Sequence, residues 1–376
     1  MKDKVQKINL ESIRNFCPFK YGKGLPKSNR NKNGSIPVYG SGGIDGYHDD
    51  MLTKGPTIII GRKGTVGSVY YSEIPCWPID TTFFISNMDK NDLKFIFYLL
   101  QTFDLEGKNS DTAVPGLNRE VAHDIKFSLP SKEDRKKIGC NLWNFDNQIK
   151  LLGSKNKILE QIIQTYFKSW FIDFDEQTEF DDSELKQIPK GWTLKQLDEI
   201  ANFRNGLALQ KFRPLDNASL PVIKIREMKQ GFTENSEKAS TNIKKEYIIQ
   251  NGDILFSWSA SLEVMIWGFG KGALNQHIFK VTSDEYEKWF YYMWIKFHLD
   301  DFRNIAKDKA TTMGHIKKEH LSDAQVLVPL PKTLELMNNV INPLFNLILQ
   351  NKILIQNLKK IRDTLLPILI SDETKL

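Results

Sequence analysis

The sequence predicts an α+β protein with a pseudo-twofold internal repeat: two similar globular domains separated by two long antiparallel coiled-coil helices. Three observations carry that expectation. The two halves of the 376-residue chain follow one plan, each half switches from short strands and Gly-rich turns to a helical pattern, and each helical stretch carries coiled-coil spacing.

The duplication is legible block by block. Leu10-Glu11-Ser12-Ile13 is answered by Leu197-Asp198-Glu199-Ile200, and Ile36-Pro37-Val38 by Leu220-Pro221-Val222. TIIIGRKGTVGSVYY (57–71) matches DILFSWSASLEVMIW (253–267), and AVPGLNREVAHDIKFSLP (113–130) matches TTMGHIKKEHLSDAQVLVPLP (311–331). The offset is 197 residues at Gly55/Gly252, 198 at Gly116/Gly314 and 199 at Leu159/Leu358, a drift too small for coincidence. Two copies make a pseudo-symmetric molecule rather than a solenoid, which needs several short repeats.

Residues 57–60, 68–71, 254–258 and 278–282 are β-branched or aromatic runs bounded by Gly, Asp or Asn, and read as strands. Residues 91–103 and 285–302 read as aromatic-rich helices, and 173–191 as an acidic, loop-like linker. The resulting division is 1–131 and 177–331 for the globular parts, with long helices in 132–176 and 332–376.

Steps of four and three from Ile138 reach Leu142, Phe145, Ile149, Leu152, Asn156, Leu159, Ile163, Tyr166 and Trp170. Nine of those ten are apolar, in a chain that is 40% hydrophobic. From Val340 the same walk gives Leu344, Leu347, Asn351, Leu354, Leu358, Ile361, Leu365 and Ile368, again broken only by Asn. A period of 3.5 held over four heptads is a coiled-coil signal, and it outlasts an ordinary helix about threefold. Two separate core helices are the plainer alternative, but their equivalent places in the repeat favour pairing.

Composition excludes several classes. A net charge of +6 permits a polyanionic partner without requiring one. No run of about 18 apolar residues exists, and the charged start MKDKVQKINLESI has no signal-peptide centre, so a cytoplasmic protein without membrane contact is expected. Cys17, Cys76 and Cys140 are far apart and offer neither a disulfide framework nor zinc spacing.

Catalytic motifs fail on inspection. Asn342-Pro343-Leu344-Phe345 approaches the loop by which a methyltransferase holds an amine, but lacks the second Pro and falls in a helix. Residues 268–273 fit GxGxxA, yet 274–277 continue as a strand rather than opening a helix, so the dinucleotide context is missing. Asp80 with Asp92 and Lys94 has roughly a nuclease composition, but Asp92 sits in a helix's first turn, where acids serve as caps. No HExxH occurs, and His315 and His320 are off a common helical face. No catalytic and no metal-binding residue is expected.

TYFKSWFIDF (165–174), the acidic linker and the PKGW–L–L–I pattern of 189–200 resemble the central region of type I restriction-modification specificity subunits. IPVYGSGGIDGYHD (36–49), GRKGTVGSVYY (61–71) and PIDTTFFI (78–85) look like that family's first recognition domain. NGDILFSWSAS (251–261) and LNQHIFKV (274–281) look like its second, and RDTLLPILISDE (362–373) like its ending. The similarity spans essentially the whole chain in order; Pro343 departs from it and suggests a kink or a late helix start. The resemblance implies that each globular part is a target-recognition domain reading half of a split, asymmetric double-stranded DNA site. It further implies that the helices are a spacer and a dock for two methyltransferase subunits. Those partners carry S-adenosylmethionine and methylate adenine, this chain needs no cofactor, and motor-nuclease restriction subunits cut unmodified DNA. A single-chain methyltransferase or nuclease, or a coiled-coil bridge that binds no DNA, are the alternatives.

Candidate DNA-binding side chains are Arg30, Lys32, Arg62, Lys63, Asn118 and Arg119 in the first domain. In the second they are Lys211, Arg213, Lys224, Arg226, Lys307, Lys309 and Lys317. Arg can bond guanine O6 and N7 together, Asn can pair with adenine, and Lys mostly meets phosphate. Gly61-Arg62-Lys63-Gly64 is the strongest local candidate, because flanking glycines let the backbone approach a phosphate. Asn156 and Asn351 are the candidate register pair: centring one stripe on the other antiparallel places residue 352 opposite Asn156. Helices of this length span about 50 Å and would act as a ruler between the half-sites.

Overall fold

The computed structural model describes residues 10–107, 116–175, 177–182, 187–214, 218–308 and 314–370. The chain divides into two compact units, Met1–Gln148 with Leu358–Leu376, and Ile149–Asn357.

In the first unit, Lys20–Tyr21, Thr82–Ser86, Thr57–Gly61 and Val69–Ser72 form a four-stranded antiparallel sheet in that order. Gly43–His48, Ile36–Gly40 and Trp77–Pro78 form a second sheet, whose last pair is parallel. Leu10–Ser12 pairs with Lys126–Ser128. The isoleucine run explains why two sheets share one strand's surroundings. Side chains alternate faces in a strand, so Ile58 and Ile60 enter the main core while Ile59 packs with Tyr39 and Cys76 on the other side. The helix Lys90–Gln101 covers that main core with Leu93, Ile96, Leu99 and Leu100.

The second unit repeats the plan. Asn202–Asn205, Ile278–Thr282, Ile254–Ser257 and Glu263–Ile266 form its four-stranded antiparallel sheet. A sheet of Lys238–Ser240, Ser219–Ile223, Gly272–Leu274 and Ile248–Ile249 again holds one parallel pair. Thr193–Gln196 pairs with Gln325–Val328. Alternation divides the central strand here too, with Ile254 and Phe256 in one core and Leu255 in another.

Several sequence expectations need correction. The helix expected over 285–302 is two helices, Lys288–Phe297 and Leu299–Asp308, broken at His298, whose Nε2 lies 2.7 Å from the Gln325 carbonyl oxygen. The acidic linker holds a small hairpin, Phe180–Asp182 against Gln187–Pro189. After Gly272–Leu274 the chain turns before re-entering a strand at Ile278, rather than continuing extended. Asp89, not Asp92, caps the helix Lys90–Gln101, accepting from the amides of Asn91 and Asp92; Asp92 pairs instead with Arg135 at 2.7 Å.

The first long helix runs Lys132–Lys168 and ends in one wider turn, Ser169–Asp173, stopped by Phe174 at φ 55°. The second runs Pro331–Ile370, so it begins well before Pro343 and the late start is excluded. Within the second unit the two run antiparallel. Asn156 lies beside Asn351 and Ile348, whereas Ile163, further along the first helix, lies with Phe345. In the first unit Asp146 binds Arg362, and Ile138 shares a core with Ile370.

The burial stripe departs from the heptad at several positions along the helices. Phe167 and Phe171 are buried, whereas Tyr166 is 40% exposed. Met337, Ile341 and Phe345 are buried, whereas Val340, Leu354, Ile361 and Ile368 are exposed. An unsupercoiled helix has 3.6 residues per turn and drifts from a seven-residue repeat. Where the helix packs on Trp289, Phe290 and Trp294 of the globular core, nothing holds it to the coiled-coil period.

Candidate DNA interface

The tightest constellation of predicted residues stands at the end of the first unit's central strand. Gly61 receives the Gly67 amide and donates to Ser68, closing a turn that Gly64 (φ 81°) and Gly67 (φ 76°) make possible. The amides of Arg62 and Lys63 both donate to the Thr81 carbonyl, at 2.9 and 3.1 Å, and the Leu117 amide donates to the Arg62 carbonyl at 2.9 Å. The backbone at Arg62 is therefore fixed from both sides. Its guanidinium lies 5.0 Å from the Tyr21 ring and 5.7 Å from Phe83, with one contact of 3.3 Å to the Asp80 carbonyl. Arg119 stands over the same Tyr21 ring at 4.9 Å and pairs with Glu120 at 2.9 Å. Tyr21 is 49% exposed, so a phenol ring carries two guanidinium groups at the surface. Each such contact contributes about 0.5–1 kcal/mol and orients the planar fork. Lys63 and Lys32 are exposed, without an ion pair among the described residues.

The remaining candidates of this unit, Arg30 and Asn118, already have partners within it. Arg30 has a side chain only 8% exposed, bonding the Leu25 carbonyl at 3.1 Å and the Asp45 carboxylate at 2.9 Å. That bond holds the Asp45 carboxyl below the usual carboxylate range. Asn118 caps the helix Arg119–His123, its side-chain oxygen accepting from the amides of Glu120 and Val121. Its reading of adenine would require giving up that cap.

In the second unit Lys211, Arg213 and Lys307 are exposed and make no ion pair among the described residues. Lys224 is bound by Glu237, and Arg226 by Glu227 at 2.7 Å and the Asn235 carbonyl at 3.2 Å. Glu227 is buried; burial pushes its carboxyl up, but hydrogen bonds from Arg226 and Ser236 outweigh this and hold it below the usual range. Lys317 stands at the start of the helix Lys318–Ser322 and pairs with Glu319 at 3.5 Å. Lys309 lies outside the described residues.

Residue-type reasoning missed the aromatic members. Tyr21 was not singled out, nor was Trp258, whose Nε1–H donates to Asn205 Oδ1 at 3.0 Å between the exposed His277 and His315. The repeat was the available signal for Trp258, since setting 253–267 against 57–71 aligns it with Arg62.

In the second unit's helix seam, Asn351 Nδ2 donates to Asn156 Oδ1 at 2.8 Å, and Asn156 Nδ2 donates to the Ile348 carbonyl at 3.2 Å. Both side chains are buried. Among the described residues no group of three or more His, Cys, Asp or Glu could hold a metal, and no helix is long and apolar enough to cross a membrane.

An internally duplicated α+β chain with two long helices, presenting cations and aromatics on its loops, defines a class of two-domain readers. The family model described as the type I restriction modification DNA specificity domain matches this chain twice, over residues 3–161 and 189–360, and the chain belongs to that family. Its role is accordingly DNA sequence specificity, as a non-catalytic subunit. It is 28% identical over 347 residues to the type I restriction enzyme MjaIX specificity subunit of Methanocaldococcus jannaschii, covering 86% of this chain and 79% of the relative. The HindI specificity subunit of Haemophilus influenzae is 21% identical, covering 80% and 82%. A crystal structure of a type I restriction-modification S subunit from M. genitalium shares the fold, with a TM-score of 0.64 at 18% identity over 100% of this chain and 99% of the other.

Proposed function

We propose that this chain reads a bipartite, asymmetric site in duplex DNA, one half with the domain of residues 1–131 and the other with that of 177–331. The double match to one specificity-domain family is the observation that carries the reading. Arg62, Lys63, Arg119 and Lys32 face DNA in the first half-site, and Lys211, Arg213 and Lys307 in the second. Lysine heads meet phosphate, and the stacked Arg62 fork meets a guanine edge. The remaining candidates, Arg30, Asn118, Lys224, Arg226 and Lys317, position these loops.

The segments 132–176 and 332–376, which hold the two long helices, dock two methyltransferase subunits, which bring S-adenosylmethionine; motor-nuclease subunits join that assembly in the cytoplasm. Leu151 (69% exposed), Ile158 (57%), Ile162 (38%) and Tyr166 (40%) support this, lying at helical spacing on one uncovered apolar stripe. Mapping methylated adenine in cells expressing this chain with its partners tests the reading. Exchanging residues 1–131 for those of another family member changes one half of the methylated site and spares the other. A site that changes in both halves, or in neither, overturns it.

A further inference from the structure

The repeat sets Trp258 in the second unit where Arg62 stands in the first, and four contacts fix the equivalence. Gly61 pairs with Thr82 as Ser257 pairs with Ile278, and Tyr21 pairs with Phe83 as Asn205 pairs with Phe279. The Arg62 amide donates to Thr81 as the Trp258 amide donates to His277. The Leu117 amide donates to the Arg62 carbonyl at 2.9 Å, and the Ile316 amide to the Trp258 carbonyl at 3.1 Å.

The same backbone position thus carries opposite chemistry. Arg62 offers a fixed positive charge and a fork of N–H donors held over Tyr21. Trp258 carries no charge, and its one polar group is taken by Asn205 at 3.0 Å. Its ring is half-buried against Phe279, at 5.9 Å and 31°. What remains available is aromatic hydrocarbon, flanked by the exposed imidazoles of His277 (5.6 Å) and His315 (6.2 Å). On the floor of the major groove a guanidinium suits guanine O6 and N7, whereas an apolar surface suits the thymine C5-methyl group.

Resting on the DNA-reading function above, we infer that Trp258 is a specificity-determining residue of the second domain, reading the methyl group of a thymine. The two domains therefore discriminate bases by different physics at one shared position. Arg62 contributes charge and hydrogen bonds that weaken with salt, and Trp258 contributes apolar contact that does not.

The test uses the full chain with its methyltransferase partners and duplexes bearing the mapped site. Each thymine of the second half-site is replaced in turn by uracil, which pairs identically and lacks the methyl. One position is expected to lose about fourfold in affinity, the worth of one buried methyl(ene) group. Placing 5-bromouracil at that position and irradiating is expected to crosslink the DNA to Trp258, located by peptide mass spectrometry. These arms use the unaltered protein and need no variant to fold. Trp258→Phe, which keeps an aromatic ring, is expected to retain the uracil penalty and to leave the salt slope unchanged. Uracil without effect at every position overturns the inference, as does a crosslink confined to other residues. Uniform weakening of Trp258→Phe on all sequences, the mark of stacking on an unpaired base, also overturns it. Failure of the unaltered complex to prefer its mapped site would instead refute the DNA-reading function.

Discussion

Replacing Asn351 with leucine removes the donor that Asn156 Oδ1 receives at 2.8 Å in a seam where both side chains are about 5–6% exposed. A buried acceptor left without a partner costs about 1–3 kcal/mol. Asn156→Leu leaves the Asn351 amide equally stranded and costs about the same. The double variant strands nothing, because the Ile348 carbonyl that Asn156 also binds lies within a continuous helix that uses it. Its stability is expected to fall close to that of the unaltered chain, giving a coupling of about 2 kcal/mol or more. For a unit of this size each single change lowers Tm by about 2–12 °C. Urea melts followed by tryptophan fluorescence report on it directly, since six of the eight tryptophans lie in Ile149–Asn357. Losses that add to within about 0.5 kcal/mol would refute the paired-amide account, as independent sites do.

Arg62→Ala is expected to cost about 1–3 kcal/mol on the cognate site and to relax one base of the first half-site; uniform weakening with a shallower salt slope in a filter-binding titration would make it a phosphate contact. Arg30→Ala should leave base preference untouched while lowering first-unit stability by about 1–3 kcal/mol in a thermal melt, since Arg30 bonds Leu25 and Asp45 rather than facing solvent. Ile158→Asp with Ile162→Asp should abolish co-elution with the methyltransferase yet shift stability by no more than about 0.5 kcal/mol per site, both being surface positions. His123 sets an acid limb. Burial holds its imidazole below the usual 6.5, and Nε2 accepts the Phe19 amide at 2.8 Å, so the neutral ring is the folded form. Its contribution is complete above pH 6.5 and is lost as pH falls through the depressed folded value. The Tm difference between the unaltered chain and His123→Gln should therefore shrink with acidification; a difference that grows would refute the assignment.

Much of the fold was legible because it is written in periodicity. The Thr57–Gly61 and Ile254–Ser257 strands follow from β-branched runs between turn residues, and the two long helices from apolar spacing interrupted once by Asn. Errors arose where packing overrides local pattern. Tyr166 looked like a core position until the helix met Trp294, and Phe167 and Phe171 took the buried side instead. Arg30 and Asn118 resemble any surface cation and amide in sequence. Only the positions of Asp45 and of two helix amides show that both side chains already hold partners within the unit.

By itself the sequence determined the duplication, the alternation of globular and helical segments, and the absence of recognisable catalytic motifs. These rest on residue order and local spacing, which require no knowledge of distant contacts. Tertiary structure alone decided which polar groups are spoken for and which remain exposed. A guanidinium's availability depends on carboxylates and carbonyls brought to it from elsewhere in the chain, as Asp45 reaches Arg30 while Arg62 is left stacked on Tyr21. The aromatic surface at Trp258 is of the same kind. Asn205 arrives from a strand more than fifty residues away to take its only donor, and what is left over is the hydrocarbon.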